Sequence, residues 1–167
     1  MPEKETIERA QEDKREGKAP STQAGEFVRE EMEHIREGKH GARSTKQAIA
    51  IGLSKARRAG VDLPPPAEGK APERTRTQAA RDFRKGRTAA RKKPSRARSR
   101  AVRGALKREG RQAASRQSLA RQARGSARKR SRSERSQAAR KAARTRAAVG
   151  RTRGAAKATR GRQRRAA

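Results

Sequence analysis

Three consecutive prolines, Pro64, Pro65 and Pro66, follow Leu63 and divide the chain into two unlike parts. Proline has no backbone N–H to donate and fixes φ, so a helix cannot run through such a triplet, and the segment reads as an extended, semi-rigid spacer. Residues 1–63 carry 13 Lys and Arg against 12 Asp and Glu, a net of +1. Residues 64–167 carry 36 against 5, a net of +31. The large apolar side chains fall the other way, 11 before the prolines and 5 after. The organisation read from this is a helical head at 1–63, a Pro-rich linker at 64–72 and a basic low-complexity tail at 73–167.

Composition excludes several classes. The formal charge is +32, only 29% of residues are hydrophobic, and Phe27 and Phe83 are the only large aromatics. A chain of that kind has little apolar surface with which to offset conformational entropy. With no cysteine there is no disulfide, no thiolate zinc site and no cysteine nucleophile. No run approaches the roughly 18 apolar residues of a membrane span. Residues Glu3 to Glu16 are dense in charge where a secretory signal would be apolar. The expected setting is cytoplasmic, at the nucleoid, with a polyanion as partner.

Within the head, Thr6 to Glu16 predicts a short, partly formed helix ending at Gly17. Ala24, Phe27, Val28, Met32 and Ile35 recur at three- and four-residue steps behind Pro20-Ser21-Thr22, predicting a capped helix to about Glu37 that Gly38 ends. Lys39-His40-Gly41-Ala42-Arg43 makes a tight connection. Ser44-Thr45-Lys46-Gln47 fits a capping box, and Ala48, Ile49, Gly52, Leu53 and Ala56 form a second stripe closed by Arg57, Arg58 and Gly60. Gly52 costs about 1 kcal/mol relative to Ala inside a helix, which close approach of a partner helix would explain. The two stripes predict an antiparallel hairpin with Phe27, Val28, Met32, Ile35, Ile49, Leu53 and Val61 in contact. So small a core predicts self-association, as a homodimer through residues 21–60, or folding on a partner.

The tail shrinks to Arg, Ala, Ser, Gln, Gly, Thr and Lys without a fixed repeat. Cations fall on every side of any helix, and Val102, Leu106 and Leu119 are too few to mark a buried stripe. The expected fold class is therefore all-α: a small N-terminal hairpin of two to three helices, then a long disordered or partly helical Arg/Ala-rich tail. Guanidinium groups stay charged and fork onto phosphates, so nucleic acid is the expected ligand, bound mainly through its backbone. Thirty-one net charges would match about 53 Å of duplex at one phosphate per ~1.7 Å. The expected contacts in the head are Arg43, Lys46, Arg57 and Arg58. Those in the tail are Arg91, Lys92 and Lys93, then Arg96, Arg98 and Arg100, then Arg128, Lys129, Arg130 and Arg132. Arg140, Lys141 and Arg144 follow, with Arg162, Arg164 and Arg165 near the end.

No catalytic, cofactor or metal site is expected, and the chain does not read as an enzyme. Glu31-x-x-His34 matches half of a di-metal carboxylate motif, and a single copy reads as a surface pair. His40 sits in the turn beside Lys39 and Arg43. Gly38-Lys39-His40-Gly41 lacks the order of a P-loop and follows a helix instead of a strand. The Ser-Arg dipeptides would accept phosphoryl groups, which would lower the tail's charge.

Two resemblances add to this reading. Ser21-Thr-Gln-Ala-Gly-Glu-Phe-Val-Arg-Glu-Glu31, His34, and Gly38-Lys-His-Gly-Ala-Arg-Ser-Thr-Lys-Gln-Ala-Ile-Ala-Ile-Gly-Leu-Ser-Lys-Ala-Arg-Arg-Ala-Gly60 resemble a bacterial family of small basic proteins of unknown function, some labelled plasmid stabilisation proteins. That resemblance covers residues 1–65 and implies no catalytic residues. The tail is similar to the arms of linker-histone-like bacterial proteins, except that Arg outnumbers Lys 28 to 8 beyond residue 63, which leaves RNA open beside DNA. The function expected is histone-like, sequence-independent binding and condensation of nucleic acid, DNA favoured. The alternatives are an RNA- or ribosome-associated protein, a plasmid-maintenance module whose hairpin reads an operator, and a partner-binding hairpin anchored by the tail.

Overall fold

Both apolar stripes of the head become helices, and the chain reverses between them. In the computed structural model, which describes residues 2–88, 95–144 and 146–147, α1 (Lys4–Arg15), α2 (Pro20–Arg36) and α3 (Thr45–Arg58) form the head. The proline segment follows, then α4 (Glu73–Arg87), α5 (Arg96–Lys107), a 3-10 turn at Gln112–Ala114, and α6 (Arg116–Arg128). Residues 132–144 form a further helix. Residues 1–122 make one compact unit and residues 123–167 another.

The ends of the head helices follow their local chemistry. Gly17, Gly38 and Gly60 take φ of +69°, +79° and +95°, a region a side chain would strain. Ser44 caps α3 by accepting from Gln47 N–H at 3.2 Å, while Gln47 Oε1 accepts from Arg43 N–H at 2.9 Å, one residue upstream of the usual partner. At α2 the cap differs from the expected one. Ala19 is the N-cap with no side-chain bond, and Pro20 occupies the first turn, where its missing N–H leaves nothing unsatisfied.

The predicted hairpin forms, and its core divides in two. Ala10, Ala24, Phe27, Ala56 and Val61 pack together with Ile7, Leu53 and Leu63 around them. Met32, Ile35, Ala42 and Ala48 make a second cluster with Val28 and Ile49. Gly52 faces the backbone of α2: a Cβ there would stand 2.7 Å from Val28 Cα, which accounts for the glycine. The first helix is complete, tied to α2 by Arg9 Nε donating to Glu26 at 2.9 Å.

The tail overturns the expected fold class. It is not a long disordered or partly helical arm behind a hairpin: from Glu73 to Lys107 and from Arg116 to residue 144 its described residues are largely helical. Ala113 and Ala114 complete the Met32–Ile35–Ala48 cluster, with Leu119 against it. Thr45 Oγ donates to Ala113 O at 2.7 Å, and Arg36 Nε donates to Ala114 O at 3.0 Å. Gly41 N–H donates to Leu106 O at 2.9 Å and Ala42 N–H to Gly110 O at 3.1 Å. Upstream, α4 lies on α3 with Gly86 against the Arg57 carbonyl and Asp82 buried. Small residues let backbones touch, so no broad apolar stripe is needed, and Ala and Arg both favour helix. Ser131 and Glu134 bond reciprocally, Glu134 N–H to Ser131 Oγ at 3.2 Å and Ser131 N–H to Glu134 Oε2 at 2.8 Å, a capping box opening the last helix.

The same packing occupies the apolar stripe on which a homodimer through residues 21–60 was expected to rest. Phe27, Met32 and Ile35, whose stripe would have supplied the face, are covered by the chain's own helices.

Candidate functional site

The cations expected to meet nucleic acid do not share one environment. Arg57 does not lie at the surface. It is buried, and its guanidinium donates to Leu63 O at 3.1 Å and Pro64 O at 3.4 Å, clamping the start of the proline segment. Burial lowers its pKa and the Asp82 charge works against that; the group stays a cation at any physiological pH. Arg58 is half exposed but committed to Asp82 at 2.7 Å. Arg43 is exposed and lies 3.5 Å from Glu109, and Lys46 is exposed on α3. Arg91, Lys92, Lys93, Arg162, Arg164 and Arg165 fall outside the described residues.

The remaining expected contacts are exposed. α5 carries Arg96, Arg98, Arg100, Arg103 and Lys107 with no acidic residue, and none of its residues is buried. Arg96, Arg100, Arg103 and Lys107 line a shallow groove along one side of it, with Ser99 and Gly104 between. Their spacing of three and four residues is what aligns them. α5 is held at its C-terminal end, where Leu106 O accepts from Gly41. Arg128, Lys129, Arg130, Arg132, Arg140, Lys141 and Arg144 are exposed beyond it.

Asp82 is the anchor that sequence reading missed. It is 1% exposed and accepts from Ser54 at 2.6 Å, from Arg58, and from Gln78 at 3.2 Å. Burial pushes its carboxyl up, but these bonds outweigh that and hold it below the ordinary carboxylate range. Its signal was scarcity: an acid within a segment holding five among 104 residues.

A second cluster lies beneath the α2–α3 turn. Glu30 and Glu31 are 2% and 0% exposed, so the expected surface pair Glu31–His34 is corrected. Lys55 Nζ lies 2.6 Å from Glu31 Oε2 and 3.2 Å from Glu30 Oε1. His34 meets Glu3 at 2.8 Å, and His40 reaches Glu31 Oε1 at 3.3 Å. The His34 bond, then that of Lys39, lowers the Glu3 pKa. Glu31, His34 and His40 are the one group among the described residues with ligand atoms close enough to hold a metal ion together. The ring at position 40 folds back because the helix stops at Gly38, a reversal readable in the sequence.

Residues 4–66 match the model of a family of unknown function, DUF6496, whose description assigns no activity and no plasmid role. The match ends before α4. No curated protein and no solved structure matches the chain. No helix among the described residues is long and apolar enough to cross a membrane.

Proposed function

We propose that the chain binds nucleic acid without sequence preference, with duplex DNA as its first partner, in the manner of a small nucleoid-condensing protein. The observation that carries this reading is α5, five cations with no acid, unburied, and aligned along one side through Arg96, Arg100, Arg103 and Lys107. Guanidinium groups on a free helix face can fork onto successive phosphates, and such contacts position a protein without reading bases. The absence of aromatic platforms supports phosphate contact over base stacking: Phe83 carries Arg87 over its ring at 5.3 Å. The basic helix at 132–144 supplies a second set of charges on the same chain, which raises apparent affinity without new chemistry.

The test uses the full chain, because residues 73–122 pack on the head. Gel shifts with duplex DNA between about 50 and 200 mM salt should give a log–log slope near −9 if about ten phosphates are engaged. Arg96→Glu, Arg100→Glu and Arg103→Glu combined should reduce that slope by about three and weaken all sequences alike. Binding that scarcely responds to salt, or a triple variant that binds as the parent does, overturns the reading. Structured RNA as competitor decides between the two polyanions.

A further inference from the structure

The chain has two histidines, and both lie at one buried carboxylate. Their rings meet edge to face with centroids 6.2 Å apart. His40 Nδ1 lies 3.1 Å from Gly41 O. A carbonyl only accepts, so that nitrogen carries a proton, and in the neutral ring Nε2 presents its lone pair. What Nε2 faces is Glu31 Oε1, another acceptor, at 3.3 Å. His34 repeats the pattern: Nε2 donates to the Glu3 carboxylate at 2.8 Å, which in the neutral ring leaves the lone pair of Nδ1 3.9 Å from Glu30 Oε1. Glu31 is fully buried, and neither of its oxygens has a hydrogen-bond partner among the described residues. The Lys55 ammonium, 2.6 Å from Oε2, supplies charge there without hydrogen-bonding geometry, and leaves Oε1 to the rings.

Lone pairs aimed at a buried carboxylate repel it unless a proton or a metal ion lies between them. The geometry points to a divalent transition-metal site of the zinc class, ligated by Glu31 Oε1, His34 Nδ1 and His40 Nε2. Two ligands held at ~2.0–2.1 Å on a tetrahedral ion stand about 3.3–3.4 Å apart, and the Glu31–His40 separation is 3.3 Å. Glu31, His34 and His40 each offer a ligand atom within 4.8 Å of the others, so closing around an ion needs only small side-chain movements. The outer partners are those such sites use, a carboxylate behind one ring and a carbonyl behind the other, each fixing the tautomer. Two imidazoles and one carboxylate favour zinc, cobalt or nickel over the oxygen-seeking magnesium and calcium. The rings are 12% and 16% exposed, which leaves a fourth position open to water.

The site is built separately from the basic helices, yet it bears on them. His40 belongs to the turn whose Gly41 and Ala42 N–H groups hold residues 106–110. A bound ion would pin that turn to α2 and so fix the dock on which the end of α5 rests.

Tag-free full chain, freed of nucleic acid in high salt and of metal by chelator, is titrated with Zn²⁺ and read by ¹⁵N correlation of the imidazole rings. Two histidines make the spectrum unambiguous. One equivalent should shift both rings, most at His34 Nδ1 and His40 Nε2, and raise the thermal midpoint. His40→Asn should weaken Zn²⁺ binding at least tenfold, while Glu68→Gln, at an exposed carboxylate, should change it less than twofold. Ring signals of the parent protein unmoved by several equivalents overturn the site, and identify the cluster as protonated histidines paired with buried carboxylates. Affinity within twofold of the parent in a folded His40→Asn variant overturns it equally. The parent's spectrum decides the matter even if the variant does not fold.

Discussion

The head and the basic segment are both helical, but they are ordered by different means. In the head, Phe27, Met32 and Ile35 are nearly inaccessible and each helix contributes an apolar face. From Glu73 to Leu119 the contacts include Ala79, Ala113, Ala114 and Leu119, the Gly86 backbone, the carbonyls of Leu106, Glu109 and Gly110, and one buried carboxylate. A highly charged segment can therefore be held by a few points of close backbone approach, provided a preformed surface waits for it. The cost is that each point matters more, since no broad stripe shares the load.

This contrast can be broken at either end. Phe27→Ala should cost about 3–5 kcal/mol and unfold both regions together, seen as one cooperative loss of helical circular dichroism. If α4 to α6 keep their helicity in that variant, they do not depend on the head. Gly86→Ala places a Cβ on the Arg57 carbonyl and Gly41→Ala places one on the Glu109 carbonyl. Each should destabilise by about 1–3 kcal/mol through overpacking, with hydrogen exchange rising in α4 for the first and in residues 106–114 for the second. Asp82→Asn should cost about 2 kcal/mol, because charge-assisted bonds become ordinary ones; exchange in α4 should rise while α2 stays protected. The smallest effect is that of acid. Asp82 is held below the ordinary carboxylate pKa of ~3.9. The stability it contributes is complete above that value and is lost as pH falls through its depressed native pKa. The contact between α4 and α3 should loosen in that acid range, and the Asn variant should lack this step.

The part of the fold that was legible in sequence is the part built from large side chains. The spacing of Phe27, Met32 and Ile35, the stop at Gly38 and the Ser44–Gln47 cap define α2 and α3 to within a residue or two. α4 to α6 were read as disordered or only partly helical because alanine, glycine and serine contacts leave no periodic trace. Ala113 and Ala114 look like any other pair in an alanine-rich run until Thr45 and Arg36 are seen to bind their carbonyls. The basic character of the candidate interface was plain, but the exposure of α5 and the burial of Arg57 were not, since both follow from tertiary contacts. The histidine cluster was half visible: Glu31-x-x-His34 places two ligands on one helix face, and only the fold shows that His40 returns to it.

The placement of Ala114 also sets a timetable. Its bond to Arg36 spans 78 residues, so during synthesis the cluster of Met32, Ile35 and Ala48 lacks Ala113 and Ala114 until the chain has emerged well past the prolines. For that interval the ribosome carries a head lacking its final stopper, and the turn between α5 and α6 arrives as the piece that finishes it.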